Sequence, residues 1–91
     1  MIQHQVRVEN KLGLHARAAA KLVRLASQFV SDIHLSREPE GRMTDSKSIL
    51  GILMLTASQG TQLIVTVEGQ DERQAGEAIR QFFECRFGEA E

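Results

Sequence analysis

The sequence predicts an α+β fold: an open-faced sandwich in which a four-stranded antiparallel sheet carries three helices on one face, in the order β-α-β-β-α-β-α. Three observations predict it. Alternation of apolar and polar residues marks the first segment as a half-buried strand, and "TQLIVTVEG" is the clearest strand in the chain. Apolar residues at helical spacing mark two long amphipathic helices. Two strand patterns follow each other directly between helices, so the chain lacks the repeated strand-helix-strand crossovers of a parallel sheet.

In "IQHQVRVE", Ile2, His4, Val6 and Val8 share one face, while Gln3, Gln5, Arg7 and Glu9 take the other. The stretch from Ala16 to Phe29 repeats Ala19, Leu22, Val23, Ala26 and Phe29 on one helical face, with Lys21, Arg24 and Gln28 elsewhere. "SDIHLS" is a second strand with Ile33 and Leu35 inward. "REPEGR" supplies the turn of a hairpin, and a short third strand lies near Arg42 to Thr44. "DSKSILGILML" offers Ser46 and Ser48 as caps for a short apolar helix, ending in "ASQG", where Gly60 suits a left-handed carboxyl cap. The chain closes on "DERQAGEAIRQFFECRF", a helix capped by Asp71 with Ala75, Ala78, Ile79, Phe82 and Phe83 inward.

At 91 residues and 42% hydrophobic content, residues 1–91 are expected to form one domain, without repeat, linker or low-complexity tract. Eleven basic against twelve acidic residues leave a net charge of −1, which argues against nucleic acid as a partner and confines charge-driven recognition to local patches. A single cysteine, Cys85, excludes an internal disulfide and is read as a small apolar helix residue. With no signal segment and no apolar run near the length of a membrane span, a cytoplasmic protein without membrane insertion is expected. His4 and His34 fall in strands, and neither shares metal-ligand spacing with His15 or Cys85, so no metal or cofactor is expected. No serine-histidine-aspartate order or paired-carboxylate arrangement supports a hydrolase.

The chemistry concentrates in "NKLGLHARAAAKL". His15 stands immediately before the first helix, toward whose amino end the first-turn amides and the positive end of the helix dipole point. Arg17, two residues on, adds a permanent cation with a planar fork of donors. Together they suit an anion such as phosphate, and a neutral imidazole nitrogen can attack phosphorus to form phosphohistidine. An exposed histidine at a helix start beside a surface arginine fits the same residues, and position alone does not choose between them.

The longer string does choose. "GLHAR" followed by "AAAKLV", with "KSILG" and "ASQG" downstream, resembles the HPr family of histidine-containing phosphocarriers of the bacterial phosphotransferase system, nearly end to end. The resemblance implies a carrier rather than an autonomous enzyme. It would be phosphorylated on His15 by Enzyme I at the expense of phosphoenolpyruvate and would pass the group to an Enzyme IIA. Arg17 matches the residue that steadies the phosphoryl group, and Gly13 and Ala16 complete the motif. Ser48 matches the family's regulatory serine, the target of the HPr kinase/phosphorylase, although a serine there also serves as a plain helix cap.

Ile49, Leu50 and Leu53 match the surface that docks Enzyme I and Enzyme IIA. With Leu50 and Leu53 exposed, and Ala20, Lys21 and Arg24 beside them, an apolar patch rimmed by positive charge is expected, suited to a monomer that meets acidic-rimmed partners transiently. Two departures stand out. Ala18 replaces the family's usual proline, and "SREPEGRMT" is about two residues longer than the common family hairpin, an insertion that hairpin tips tolerate. "NKLG" and "FFECRFGEAE" also resemble the nitrogen-related branch of the family, with its own Enzyme I counterpart, whereas "KSILG" resembles the sugar-transport branch. Two other classes share parts of the pattern. One is a regulatory effector of the Crh type, acting on a transcription factor or enzyme through phosphoserine, and that type lacks the active histidine. The other is a small-molecule-binding regulatory domain, by fold analogy alone.

Overall fold

The computed structural model describes residues 1–37, 42–55 and 57–88. The chain runs β1 (Ile2–Arg7), α1 (Ala16–Ala26), β2 (Asp32–Arg37), β3 (Arg42–Asp45), α2 (Ile49–Met54), β4 (Gln62–Glu68) and α3 (Glu72–Glu84), then a short turn at Arg86–Gly88. All pairings are antiparallel, in the order β1-β4-β2-β3. The expected α+β open-faced sandwich is the observed architecture. The hairpin turn read from "REPEGR" lies largely outside the described residues.

Alternation decides which sheet face the helices cover. Ile33 and Leu35 of β2 and Leu63, Val65 and Val67 of β4 are fully buried, as is Val8 just past β1. Leu22 and Ala26 from α1, Ile52 from α2, and Ile79 and Phe83 from α3 close over them. The opposite face is largely polar around Ile64 and the exposed Met43, with Gln3 donating to Thr66 and Gln5 to Gln62 across the β1–β4 ladder. His4 lies on the helix side, beneath α3, where a Cβ on Gly76 would come within 3.0 Å of its Nε2. The glycine inside α3 therefore makes room for a half-buried imidazole, offsetting its poor helix propensity.

Several local expectations are corrected by distant contacts. Helix α1 stops at Ala26, capped by the Ser27 amide on the Val23 and Leu25 carbonyls, so Phe29 packs half-buried from the following turn and not from the helix. Gly60 has φ +90° but sits beyond α2, which ends at Met54; its amide donates instead to the Val8 carbonyl at 2.8 Å and leads the chain into β4. Of the two serines before α2, Ser48 caps the helix, whereas Ser46 is buried with its hydroxyl unpartnered among the described residues. Cys85 is exposed, because α3 ends beneath it and the chain then turns away.

That turn brings in a core residue the helical pattern does not place. Arg86 and Phe87 adopt left-handed φ values of +55° and +59°, a conformation costing roughly 1–2 kcal/mol per residue. The Phe87 ring is fully buried against Phe83 and Phe82, with centroids 5.1 and 5.3 Å away, and its carbonyl accepts from Lys21 Nζ at 3.2 Å. Burying a phenylalanine contributes roughly 1.5–3 kcal/mol, enough to offset much of that strain.

Asp71 does not cap α3 with its side chain. Its carboxylate accepts from the Val30 and Ser31 amides, both at 3.0 Å, and from the Ser31 hydroxyl, tying the start of α3 to the entry of β2. The Ser31 hydroxyl, and then the two backbone amides, hold this carboxyl below its ordinary value. A depressed folded-state pKa stabilises the fold fully above the ordinary carboxylate range and loses that contribution as pH falls through the lowered value. We expect Asp71→Asn to lower the urea midpoint at pH 7 and to flatten the loss of stability on acidification below about pH 4. Unfolding titrations of both proteins between neutral and acid pH check this; equal midpoints at pH 7 would contradict it.

Candidate functional site: the amino end of the first helix

The site is built by the loop that joins β1 to α1. At Asn10 the chain makes a tight turn, with the Gly13 amide donating to the Asn10 carbonyl at 3.2 Å. Gly13 takes φ +70°, and a Cβ there would lie 2.6 Å from the Ala57 carbonyl oxygen, so this position requires glycine both by conformation and by space. The Leu14 amide donates to that same Ala57 carbonyl at 2.8 Å, and the Leu14 side chain is buried.

His15 follows as the residue that caps α1, with extended backbone (φ −85°, ψ −177°) and no side-chain capping bond. Its carbonyl accepts from the Ala19 amide at 2.7 Å, which starts the helical ladder. The first-turn amides precede that ladder and face the helix end at which His15 stands. There is no acidic residue in this first turn. His15 is half-buried, Ala16 and Arg17 are exposed, and Ala18 and Ala19 are fully buried. An imidazole with one side open to solvent, an exposed guanidinium two residues on and the positive end of an 11-residue helix can together receive an anion.

Helix α2 packs against α1. Ser48 is its half-buried first cap, the hydroxyl accepting from the Gly51 amide at 3.1 Å and the carbonyl from the Ile52 amide at 3.0 Å. Lys47 Nζ donates to the Phe29 carbonyl at 3.0 Å and the Lys47 amide to Asp45 Oδ1 at 2.8 Å, which fixes the approach to the helix. A Cβ on Gly51 would collide with the Thr44 side chain, so α2 lies close against β3.

Leu50 is 69% exposed and Ile49 43%, but Leu53, expected on the surface, is half-buried and packs on the core. Its place at the surface is taken by Met54, 59% exposed and one helical turn after Leu50. Leu12, in the loop before the site, is also exposed. The i, i+4 spacing of Leu50 and Met54 was the available signal for the first of these; Leu12 carries none. On α1, Arg24 is exposed, while Ala20 and Lys21 are half-buried and Lys21 holds the Phe87 carbonyl. His4 and His34 lie on the sheet, away from the α1 start. Among the described residues no group of three His, Cys, Asp or Glu side chains is placed to hold a metal ion, and no helix is long and apolar enough to cross a membrane.

An antiparallel open-faced sandwich bearing a histidine and an arginine at the start of its first helix is a class of small α+β structure with many relatives. The family described as the PTS HPr component phosphorylation site matches residues 2–85. The chain is 49% identical over 89 residues to the phosphocarrier protein HPr of Xylella fastidiosa, covering 98% of each, and 46% identical over 91 residues to that of Cupriavidus necator, covering all of both. The crystal structure of HPr-C-His from Thermoanaerobacter tengcongensis superposes with a TM-score of 0.92 at 40% identity over the whole of both chains. The HPr-like protein Crh of Bacillus subtilis is 40% identical over 79 residues, 87% of this chain and 91% of Crh. The chain belongs to the HPr family, the phosphocarrier family of the phosphotransferase system.

Because Ser48 supplies an acceptor to the Gly51 amide, Ser48→Ala should destabilise the protein by about 1 kcal/mol through loss of the cap. Chemical unfolding checks it, and a variant as stable as the original would show that the cap contributes nothing.

Proposed function

We propose that this protein accepts a phosphoryl group on His15 from phosphorylated Enzyme I, or its nitrogen-branch counterpart, and delivers it to an Enzyme IIA. The carrying observation is the placement of His15 at the amino end of α1 with Arg17 in the first turn. In the transfer, the lone pair of a neutral His15 ring nitrogen, Nδ1 by family resemblance, forms a bond to phosphorus. The bond from phosphorus to its donor atom on Enzyme I breaks, and its electron pair stays with that atom. The first-turn amides and the Arg17 fork stabilise the charge on the phosphoryl oxygens. The chain supplies acceptor and anion site, its partners the rest, so it acts as a carrier and not as an autonomous enzyme.

Docking in this reading uses Ala16, Ala20 and Arg24 of α1 with Ile49 and Leu50 of α2; Lys21 and Leu53 contribute through their half-exposed atoms. A few exposed apolar side chains rimmed by positive charge fit a transient, acidic-rimmed partner, since turnover requires release. The protein works as a monomeric unit of residues 1–91 in the cytoplasm. Ser48 is the site for the HPr kinase/phosphorylase, its hydroxyl standing at the start of the docking helix. The similarity to Crh favours a second role, binding a regulatory partner through phosphoserine, beside and not in place of the His15 chemistry.

Incubation with phosphoenolpyruvate and the cognate Enzyme I should add one phosphoryl group, acid-labile and base-stable, mapped to His15 by mass spectrometry. His15→Ala should abolish it while the circular dichroism spectrum is kept. Arg17→Lys retains charge but loses the planar fork, so the transfer rate should fall on the order of tenfold. Labelling of the His15→Ala variant at the normal rate would refute the assignment.

A phosphate on Ser48 carries about −1.5 to −2 charges beside Ile49 and Leu50. It should slow the initial rate of transfer from Enzyme I without unfolding the domain, by desolvation and by repulsion from an acidic rim. Ser48→Asp should act in the same direction, more weakly. Equal rates for all three forms at low salt would leave Ser48 as a helix cap only.

A further inference from the structure

One peptide plane in the loop before His15 is held at both of its polar atoms. The carbonyl oxygen of Gly13 accepts from Asn10 Nδ2 at 2.9 Å, and the amide on the other side of the same peptide bond, that of Leu14, donates to the Ala57 carbonyl at 2.8 Å. A peptide unit is planar, so fixing its oxygen and its N–H fixes its orientation. Between this plane and the His15 backbone lie only the two soft torsions of Leu14, whose side chain is buried. Beyond it, the His15 carbonyl is fixed by the Ala19 amide.

Asn10 is an expensive residue to place there. It is 1% exposed, and its Oδ1 has no hydrogen-bond partner among the described residues. A buried amide with half its capacity unused is unfavourable where an apolar side chain could pack. What the amide does supply is the Nδ2 donation to Gly13. Its partner in the clamp, Ala57, belongs to the segment after α2, so the plane is gripped from two separate parts of the chain.

We propose that Asn10 is a positioning residue for phosphoryl transfer: through the Gly13–Leu14 peptide, its side-chain amide sets the direction in which the His15 imidazole faces at the start of α1. The proposal rests on the reading of His15 as phosphoryl acceptor. In-line transfer needs the ring nitrogen aligned with the bond being broken, and a misaligned nucleophile loses rate even when binding is intact. The docking side chains of α1 and α2 lie outside this loop, so loss of the clamp should appear in kcat and not in KM.

The test compares wild type with Asn10→Ala and Asn10→Asp, the second keeping size and acceptors but lacking the donor at neutral pH. Transfer from phosphorylated Enzyme I is measured at carrier concentrations spanning KM, at a temperature where circular dichroism shows each variant folded; should Asn10→Ala not fold, Asn10→Asp decides. We expect kcat to fall about tenfold in both, with KM within about twofold of wild type, and the Leu14 amide to exchange its hydrogen about tenfold faster. Unchanged kcat in a folded variant, or a raised KM at constant kcat, overturns the proposal. His15→Ala serves as the separate control. Persistent labelling of that variant removes the acceptor reading itself, whereas labelling confined to His15 with unaltered Asn10 variants removes only the positioning role.

Discussion

The close approach of the Gly13 backbone to Ala57 is the constraint on which the site depends. Glycine at φ +70° lets the chain double back into α1 within reach of the Ala57 carbonyl, and no side chain fits there. The approach exists because β1 and β4 pair along their length and the pairing continues past the strand ends: Val8 donates to the Thr61 carbonyl and Gly60 to that of Val8. The sheet thus delivers the segment after α2 to the loop after β1. The approach to α1 and the exit from α2 meet on backbone next to the β1–β4 pairing.

Covering one apolar sheet face with short helices leaves the ends of those helices to be secured by other means. The structure uses long-range polar contacts: Asp71 on the Val30 and Ser31 amides, Lys47 on the Phe29 carbonyl, Arg37 on the Leu55 carbonyl at 2.6 Å, and Lys21 on that of Phe87. Each joins a helix or its flanking segment to a different element. Such contacts hold α1 and α2 side by side while leaving Arg17, Arg24, Ile49 and Leu50 at the surface. Under the proposed function a small carrier must expose docking residues without loosening the core beneath them, and these ties would separate the two demands.

Much of this was legible in the sequence because it is local. Strand pattern placed Ile33 and Leu35 inward and marked "TQLIVTVEG" as a strand, and helical spacing placed Leu22, Ala26, Ile79 and Phe83 inward from the helices. The "GLHAR" string carried the family resemblance, which the similarity to HPr proteins then established. What local pattern could not convey is non-local. Asp71 looks like a cap, but its side chain instead bonds residues 40 and 41 positions away. Phe87 reaches the core only through two left-handed residues, which also leave Cys85 in solvent. Leu53 packs on the core and Met54 stays exposed while Gly51 lies close against Thr44 of β3, an orientation that a six-residue helix does not encode by itself.

The central claim is that a phosphoryl group on His15 would sit at the amino end of α1, held by the amides of its first turn. The most direct measurement is a two-dimensional amide NMR spectrum of the 15N-labelled protein before and after phosphorylation by Enzyme I, with the phosphorylated ring nitrogen assigned from its coupling to phosphorus. The account predicts the largest amide shifts at Ala16 to Ala18, with the sheet amides nearly unmoved. Largest shifts on another element, or a phosphorus coupling to His4 or His34, would contradict it.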